Sequence, residues 1–291
     1  MKTFRYTASL GLAMLIVSAQ VCAGEVVGDK VESAALGASL PFTVYLPDGY
    51  HDSFDKFPVV YLLHGSGGDE HVWTANAGAR ETLDGLIRRR IIKPVIAVMP
   101  AGGSSWWIDG TSQKMQTALV KDLMPYIEKQ YEAGADRTQR AVVGLSMGGF
   151  GALNLALTHP DAVCAAGLLS PAASSEPPPD SSARSHTGQF AANGKFDLAL
   201  WQQKSYPALL AAYSQKKTPV PFFIHSGDHD QMAPPTMMTD LYTALYKIQP
   251  KQVELRIEDG DHEWMTFRDS LPQALRFIQQ QCAFQSSDNP Q

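Results

Sequence analysis

Short runs of consecutive apolar residues recur along this chain, and helical periodicity fills the stretches between them. Residues 57–63 form the clearest run, ending in Val59-Val60-Tyr61-Leu62-Leu63. A strand covered on one face alternates apolar and polar positions. A run without alternation suits a strand buried on both faces, as in a parallel sheet. Residues 94–99, 140–145, 163–169 and 220–225 read the same way, and residues 252–257 add a further strand. Helices are predicted near 78–90, with Leu83, Leu86 and Ile87 on one face, and over 111–130, through Met115, Leu119, Leu123 and Ile127. Pro125 is expected to bend the second of these, because proline removes a helix hydrogen bond. Residues 147–158, 235–248 and 263–282 read as further helices, with short ones at 196–201 and 207–213. At the start, residues 25–36 and 39–46 alternate and meet at Gly37, an antiparallel pair at a sheet edge. The pattern predicts an α/β fold: a mostly parallel sheet with antiparallel N-terminal edge strands and helices on both faces. Ligands bind such sheets beyond the C-terminal strand ends, so functional residues are sought immediately after the strands.

Two stretches fall outside this rhythm. Residues 170–195 are rich in Pro, Ser and Ala and have no period, which predicts a loop insertion near the site rather than a second domain. The first residues read as a secretory signal peptide: Lys2 and Arg5, an apolar core over 8–17, then Val21-Cys22-Ala23 before Gly24, with cleavage expected after Ala23. That leaves residues 24–284 as one domain and 285–291 as a disordered tail. Losing Lys2 and Arg5 moves the formal charge from −5 to −7. A mildly acidic chain with no basic run argues against nucleic acid or an anionic membrane as partner, and no second long apolar segment follows. Two cysteines would survive processing, Cys164 at the beginning of a strand and Cys282 at the end of the last helix. An oxidising compartment permits a bridge between them, and a pair of buried thiols is the alternative.

The chemistry centres on Gly144-Leu145-Ser146-Met147-Gly148, an apolar strand running into a Gly-flanked serine and then a helix. This is the nucleophile-elbow pattern. A serine forced onto so sharp a turn needs neighbours without side chains two residues before and after it. Its hydroxyl then stands at the sheet's edge beside helix amides that carry partial positive charge. A serine needs a base. Of the eight histidines, His262 follows the last strand and comes last in the chain, which fits the order Ser, Asp, His. His64 ends a strand but reads as a turn stabiliser, and His225 as a packed residue within a strand. The imidazole needs an anionic partner, and Asp230 and Asp228 both follow the preceding strand. Asp230 is preferred because Gly227-x-x-Asp230 lets the chain turn before presenting the carboxylate; Asp228 stays open. The Met147 amide and the Ser66 amide, in the loop His64-Gly65-Ser66-Gly67-Gly68, are the expected oxyanion donors.

These residues, with Val44-Tyr45-Leu46-Pro47, Met99-Pro100-Ala101-Gly102-Gly103 and Asp261-His262-x-Trp264, resemble the esterase D-like family of α/β hydrolases. The family includes tributyrin-type and feruloyl esterases and S-formylglutathione hydrolases. The resemblance covers almost all of the expected mature chain. It implies an α/β-hydrolase fold, with the nucleophile at Ser146, the acid at Asp230 and the base at His262. Where the family often carries an acidic residue after Met-Pro, this chain has Ala101.

The sequence thus predicts an exported serine carboxylesterase acting on a small-molecule ester through an acyl-enzyme, with no metal and no organic cofactor. Trp106, Trp107, Trp201 and Trp264 are candidates for the substrate pocket, and core packing is the competing role for these tryptophans. Feruloyl or siderophore (enterochelin-like) ester hydrolysis and acyl transfer are the rival activities within the fold. A hydrolase-fold binding protein without turnover is the rival from another class. The thioester activity of S-formylglutathione hydrolases belongs in a cytosol, which the export signal disfavours.

Overall fold

The computed structural model describes residues 23–185, 188–282 and 284. The predicted signal peptide, apart from Ala23, and the predicted tail lie outside these residues. Eight strands form one sheet: β1 (Glu25–Ser33), β2 (Ala38–Leu46), β3 (Val59–Leu63), β4 (Ile96–Pro100), β5 (Arg140–Leu145), β6 (Ala166–Leu169), β9 (Phe222–Gly227) and β10 (Val253–Glu258). Two short strands, β7 (Ala191–Ala192) and β8 (Lys195–Phe196), pair apart from it. The sheet order is β1-β2-β4-β3-β5-β6-β9-β10. β1 pairs antiparallel with β2, and β2 with β4, while every other neighbour is parallel. This is the α/β-hydrolase arrangement, antiparallel at one edge.

The unbroken apolar runs have the physical cause read from them. Val59, Tyr61 and Leu63 face one core, and Val60 and Leu62 face the other. Side chains alternate sides along a strand, so a helix layer on each face makes every position apolar. One layer holds α1 (Val72–Ala75), α2 (Ala79–Arg88) and α10 (Trp264–Gln281), whose Leu83, Leu86, Leu271 and Ile278 cover Val143 and Phe223. The other holds α5 (Met147–Thr158), α8 (Tyr206–Tyr213) and α9 (Pro235–Ile248). α5 is buried along nearly its whole length, from Met147 to Leu157.

The 111–130 helix begins only at Met115 and changes its winding along its length. It consists of α3 (Met115–Thr117), a π-helical segment (Ala118–Leu123) and α4 (Met124–Gln130). Pro125 follows the π-helical segment directly, and the wider turns there accommodate a ring that cannot donate to the preceding carbonyls. The predicted helix over 196–201 is corrected too. Lys195–Phe196 is strand, and α7 (Leu198–Lys204) starts only after Asp197, whose carboxylate caps the Ala199 and Leu200 amides. The 170–195 insertion carries the one-turn α6 (Ser182–Ser185) and β7. Cys164 and Cys282 are joined by a disulfide, with their Cα atoms 5.5 Å apart. None of the described helices is long and apolar enough to cross a membrane.

Candidate active site

β5 ends at Leu145 and α5 begins at Met147, so the direction of the chain reverses within one residue. Ser146 takes φ 53° and ψ −117°, a strained region for a residue with a Cβ. The flanking glycines make this possible. A Cβ on Gly144 would run into the Gly148 carbonyl and lie 2.7 Å from the Gly149 nitrogen. A Cβ on Gly148 would strike the Leu63 carbonyl and come within 2.6 Å of the His64 oxygen. The spacing G-x-S-x-G is therefore a packing requirement of the elbow against β3.

The structure brings together three of the predicted residues in one line. His262 Nε2 lies 2.9 Å from Ser146 Oγ, and His262 Nδ1 lies 2.8 Å from Asp230 Oδ2. Asp230 follows β9, and His262 sits in the loop between β10 and α10. The other carboxylate oxygen, Asp230 Oδ1, accepts from the Met232 and Ala233 amides at 2.9 and 2.7 Å. Burial pushes the Asp230 carboxyl up; the His262 hydrogen bond and charge, the Ala233 amide and Ser170 outweigh it and hold it below the ordinary value. Asp228 is elsewhere: exposed, accepting from the Gly260 amide and paired with His229 at 2.7 Å. Asp228, His229 and exposed Asp259 form the one grouping with metal-ligand spacing among the described residues. Exposed acidic groups of this kind are common without an ion.

Met147, as the first residue of α5, presents an amide with no acceptor one turn back. Ser66 lines the same open cleft as Ser146. The Ser66 loop is tied down by His64, which is fully buried. His64 Nε2 accepts from the Gly102 amide at 2.8 Å, and Nδ1 lies 2.6 Å from the Gly65 oxygen. Only the neutral Nδ1–H tautomer satisfies both contacts, and burial holds the imidazole's pKa below the ordinary value. Gly67 N also donates to the Gly103 oxygen at 3.0 Å. Two loops from adjacent strands are thereby locked together beside Ser146. The residues after β4 were legible only as a glycine-rich loop; the histidine that fastens them was legible only as a turn stabiliser.

Ser146 lies between two recesses. One is a partly closed cavity of about 240 Å³, walled by Trp106, Trp201, Met237 and the insertion residues Pro177 and Pro178. The other is an open cleft of about 540 Å³, walled by the Ser66 loop, Met232, Trp264 and Phe267. Trp106 and Trp201 are buried and pack edge to face at 5.1 Å, joined by Phe150 and Phe190. Trp264 is partly exposed at the cleft's rim. Trp107 is a correction to the sequence reading: it lines neither recess. Its ring is fully buried, its indole donates to the His64 oxygen at 3.0 Å, and it helps to hold the locked loops. Met232 and Ser170 line the partly closed cavity. No sequence motif marks either of them.

A doubly covered parallel sheet with a strained serine at the β5–α5 turn, an imidazole on its hydroxyl and a carboxylate behind that imidazole defines a member of the α/β-hydrolase fold. The comparisons place it more narrowly. The family model described as "Putative esterase" matches residues 33–278, and the chain belongs to that esterase family. It is 35% identical over 137 residues to Esterase Rv1288 of Mycobacterium tuberculosis, covering 45% of this chain and 28% of that protein. It is 35% identical over 147 residues to the endo-1,4-beta-xylanase/feruloyl esterase of Xylanibacter ruminicola, covering 47% of this chain and 20% of that protein. The chain therefore spans less than a third of the length of these curated relatives. A solved ferulic acid esterase superposes with a TM-score of 0.74 at 27% identity, covering 89% of this chain and 98% of that one.

Proposed function

We propose that this chain is a serine carboxylesterase with Ser146, His262 and Asp230 as its catalytic triad. The observation that supports it is the unbroken line from carboxylate to imidazole to hydroxyl, with contacts of 2.8 and 2.9 Å at the C-terminal rim of the sheet. His262 takes the Ser146 proton as Oγ attacks an ester carbonyl, and Asp230 stabilises the imidazolium that results. The Met147 and Ser66 amides receive the oxyanion. His262 then gives its proton to the leaving alcohol, and a water cleaves the acyl-enzyme by the same steps. Every step uses groups of this chain, an ester and water.

Ser146→Ala is expected to lower kcat for p-nitrophenyl acetate by roughly 10³-fold or more with an unchanged melting temperature. Near-normal turnover would overturn the assignment. A fluorophosphonate probe separates this reading from a binding protein on the same scaffold. An enzyme is labelled at Ser146, and a binding protein with an unactivated serine is not.

The partly closed cavity, with Trp106 and Trp201 in its wall, favours an aryl or other flat acyl group, in line with the feruloyl esterases among the similar proteins. kcat/KM for methyl ferulate above that for short aliphatic methyl esters supports this, and the reverse order refutes it. Export is part of the proposal as well. The Lys2/Arg5, apolar, Val21-Cys22-Ala23 pattern reads as a leader, and a buried disulfide suits an oxidising compartment. Amino-terminal sequencing of the secreted or periplasmic protein should begin at Gly24.

A further inference from the structure

Ser170 has a set of properties that the proposed mechanism leaves unused. It follows β6 directly and is fully buried. Its φ of 42° lies in the left-handed region, which a residue with a Cβ adopts only when its surroundings compel it. The compulsion is visible. The Leu169 oxygen accepts from the Ser146 amide at 2.9 Å, and the Ala172 amide donates to the Ser146 oxygen at 3.2 Å. Between these two ties, the Ser170 amide donates to the His225 oxygen at 2.7 Å. The segment is stapled to the nucleophile on both sides and to β9, the strand that leads to Asp230, in the middle.

The Ser170 hydroxyl is sealed from solvent and completes no hydrogen bond among the described residues. A buried hydroxyl left without a partner costs about 1–3 kcal/mol, so its retention asks for a reason. A substrate contact does not supply one, because the oxygen presents no surface to the cavity that the residue helps to line. The neighbouring group that can use a donor is Asp230. Its Oδ1 is served by two amides and its Oδ2 by His262 alone. Ser170 already counts among the groups that hold the Asp230 carboxyl low, although the contact is not closed. Hydrogen bonds at an unliganded site are often long and tighten when charge develops. A hydroxyl turns about one bond to make such a contact, and a carboxylate oxygen accepts more than one donor.

We propose that Ser170 is a positioning residue that donates its hydroxyl hydrogen to Asp230 when His262 becomes charged, so that the carboxylate keeps one orientation through the reaction. The inference rests on the triad reading above. The hydroxyl acts through Asp230 and His262 and never touches the ester. Its strained backbone is the consequence of placing a donor between the elbow and the acid.

The test uses Ser170→Ala and Ser170→Gly in the full chain, with Ser146→Ala as a separate control. Alanine keeps the Cβ strain and removes the hydroxyl; glycine removes both. The proposal expects kcat to fall roughly tenfold in both variants, the worth of one hydrogen bond to a charged group, with KM unchanged. It also expects a signature independent of turnover. The proton NMR resonance of His262 Nδ1–H should move downfield in both, because a carboxylate with one donor fewer accepts more strongly from the imidazole. Wild-type kcat in Ser170→Ala overturns the proposal, and so does an unmoved resonance. A raised KM at constant kcat overturns it by making the hydroxyl a substrate contact. A loss confined to the glycine variant assigns the effect to the backbone and overturns it equally. Retained turnover in Ser146→Ala would instead remove the triad reading, and the two failures are read from different proteins.

Discussion

The Cys164–Cys282 bridge joins the approach to β6 to the end of α10, across a sequence separation of 118. That loop contains β9, β10, the Asp230 turn and His262. In the chain-entropy account, closing a loop of this length in the unfolded chain stabilises the fold by about 5 kcal/mol. For a domain of this size, each kcal/mol is worth about 2 °C in melting temperature, so the bridge should carry about 10 °C. Both cysteines are buried, and both pack in the core beneath α10. The double variant Cys164→Ala/Cys282→Ala removes the link while leaving small apolar side chains in place. Calorimetry with and without a strong reductant is the assay. Wild type should melt about 10 °C lower when reduced, and the double variant should melt low in both conditions. The melting temperature of the double variant should not respond to reductant. In a Cys22→Ser background, the unfolded, unreduced chain should titrate no free thiol. Two free thiols, or a double variant melting within about 2 °C of wild type, would refute the reasoning. Lys93 offers the α10 end a second anchorage, its Nζ 2.6 Å from the Phe284 oxygen and its amide 2.8 Å from Gln279. The reduced protein is therefore expected to fold, with a lower barrier to opening at that edge.

Gly148→Ala should cost more than about 3 kcal/mol, or yield no soluble protein, because the new methyl meets the Leu63 and His64 carbonyls and backbone cannot step aside; denaturant melts of Gly148→Ala against wild type check it. Trp201→Ala should lower stability by about 3–5 kcal/mol, since the indole is fully buried and stacks on Phe150 at 5.0 Å. A loss below about 1 kcal/mol in a urea titration would make Trp201 a pocket residue only. Stability should fall as pH drops below about 6.5, the unfolded histidine value. Burial lowers the folded pKa of both His64 and His225, so the unfolded state binds their protons first. Melting temperatures between pH 7.5 and 5 read this, and a flat profile in His64→Gln would assign the slope to His64. Tyr61 is buried with its hydroxyl unpartnered among the described residues, so Tyr61→Phe should be neutral or stabilising by up to about 1 kcal/mol, read by the same melts.

What was readable in the chain follows from how local each cause is. The unbroken apolar runs announce strands covered on both faces because alternation is lost only when both sides are dry, and β3, β5 and β9 lie where such runs are. The elbow was readable because its two glycines sit at a fixed spacing about Ser146, although only the Gly144 clash is local and the Gly148 clash is with the end of β3. Spacing favours Asp230 but leaves Asp228 open, since both follow β9; the two are separated when the β10–α10 loop delivers His262 to one side of the turn. Trp107 and Trp106 are neighbours with nearly the same φ, 58° and 57°, yet one locks the His64 loop and the other walls the cavity. Nothing in the order Trp-Trp distinguishes them, because the difference is set by residues some forty positions away. Residues 170–195 had no period to read, and their part in the site comes from lying over Ser146.

His64 shows how such non-local causes act on chemistry. Its neutral imidazole is already committed on both nitrogens. Protonation would abolish the acceptor that holds the Gly102 amide, leaving that amide buried without a partner. The loops carrying Ser66 and Gly102 would then loosen together, although neither holds an ionisable group at the nucleophile. In the proposed mechanism, acid should therefore weaken oxyanion stabilisation by a route that does not pass through His262. His64→Gln distinguishes the two routes, because an amide side chain both accepts and donates without titrating in this range. Its kcat should lose less at low pH than wild type does, measured as the ratio of kcat at pH 5 to that at pH 7.5. An identical ratio in both proteins would refute this route and leave His64 a purely structural fastening.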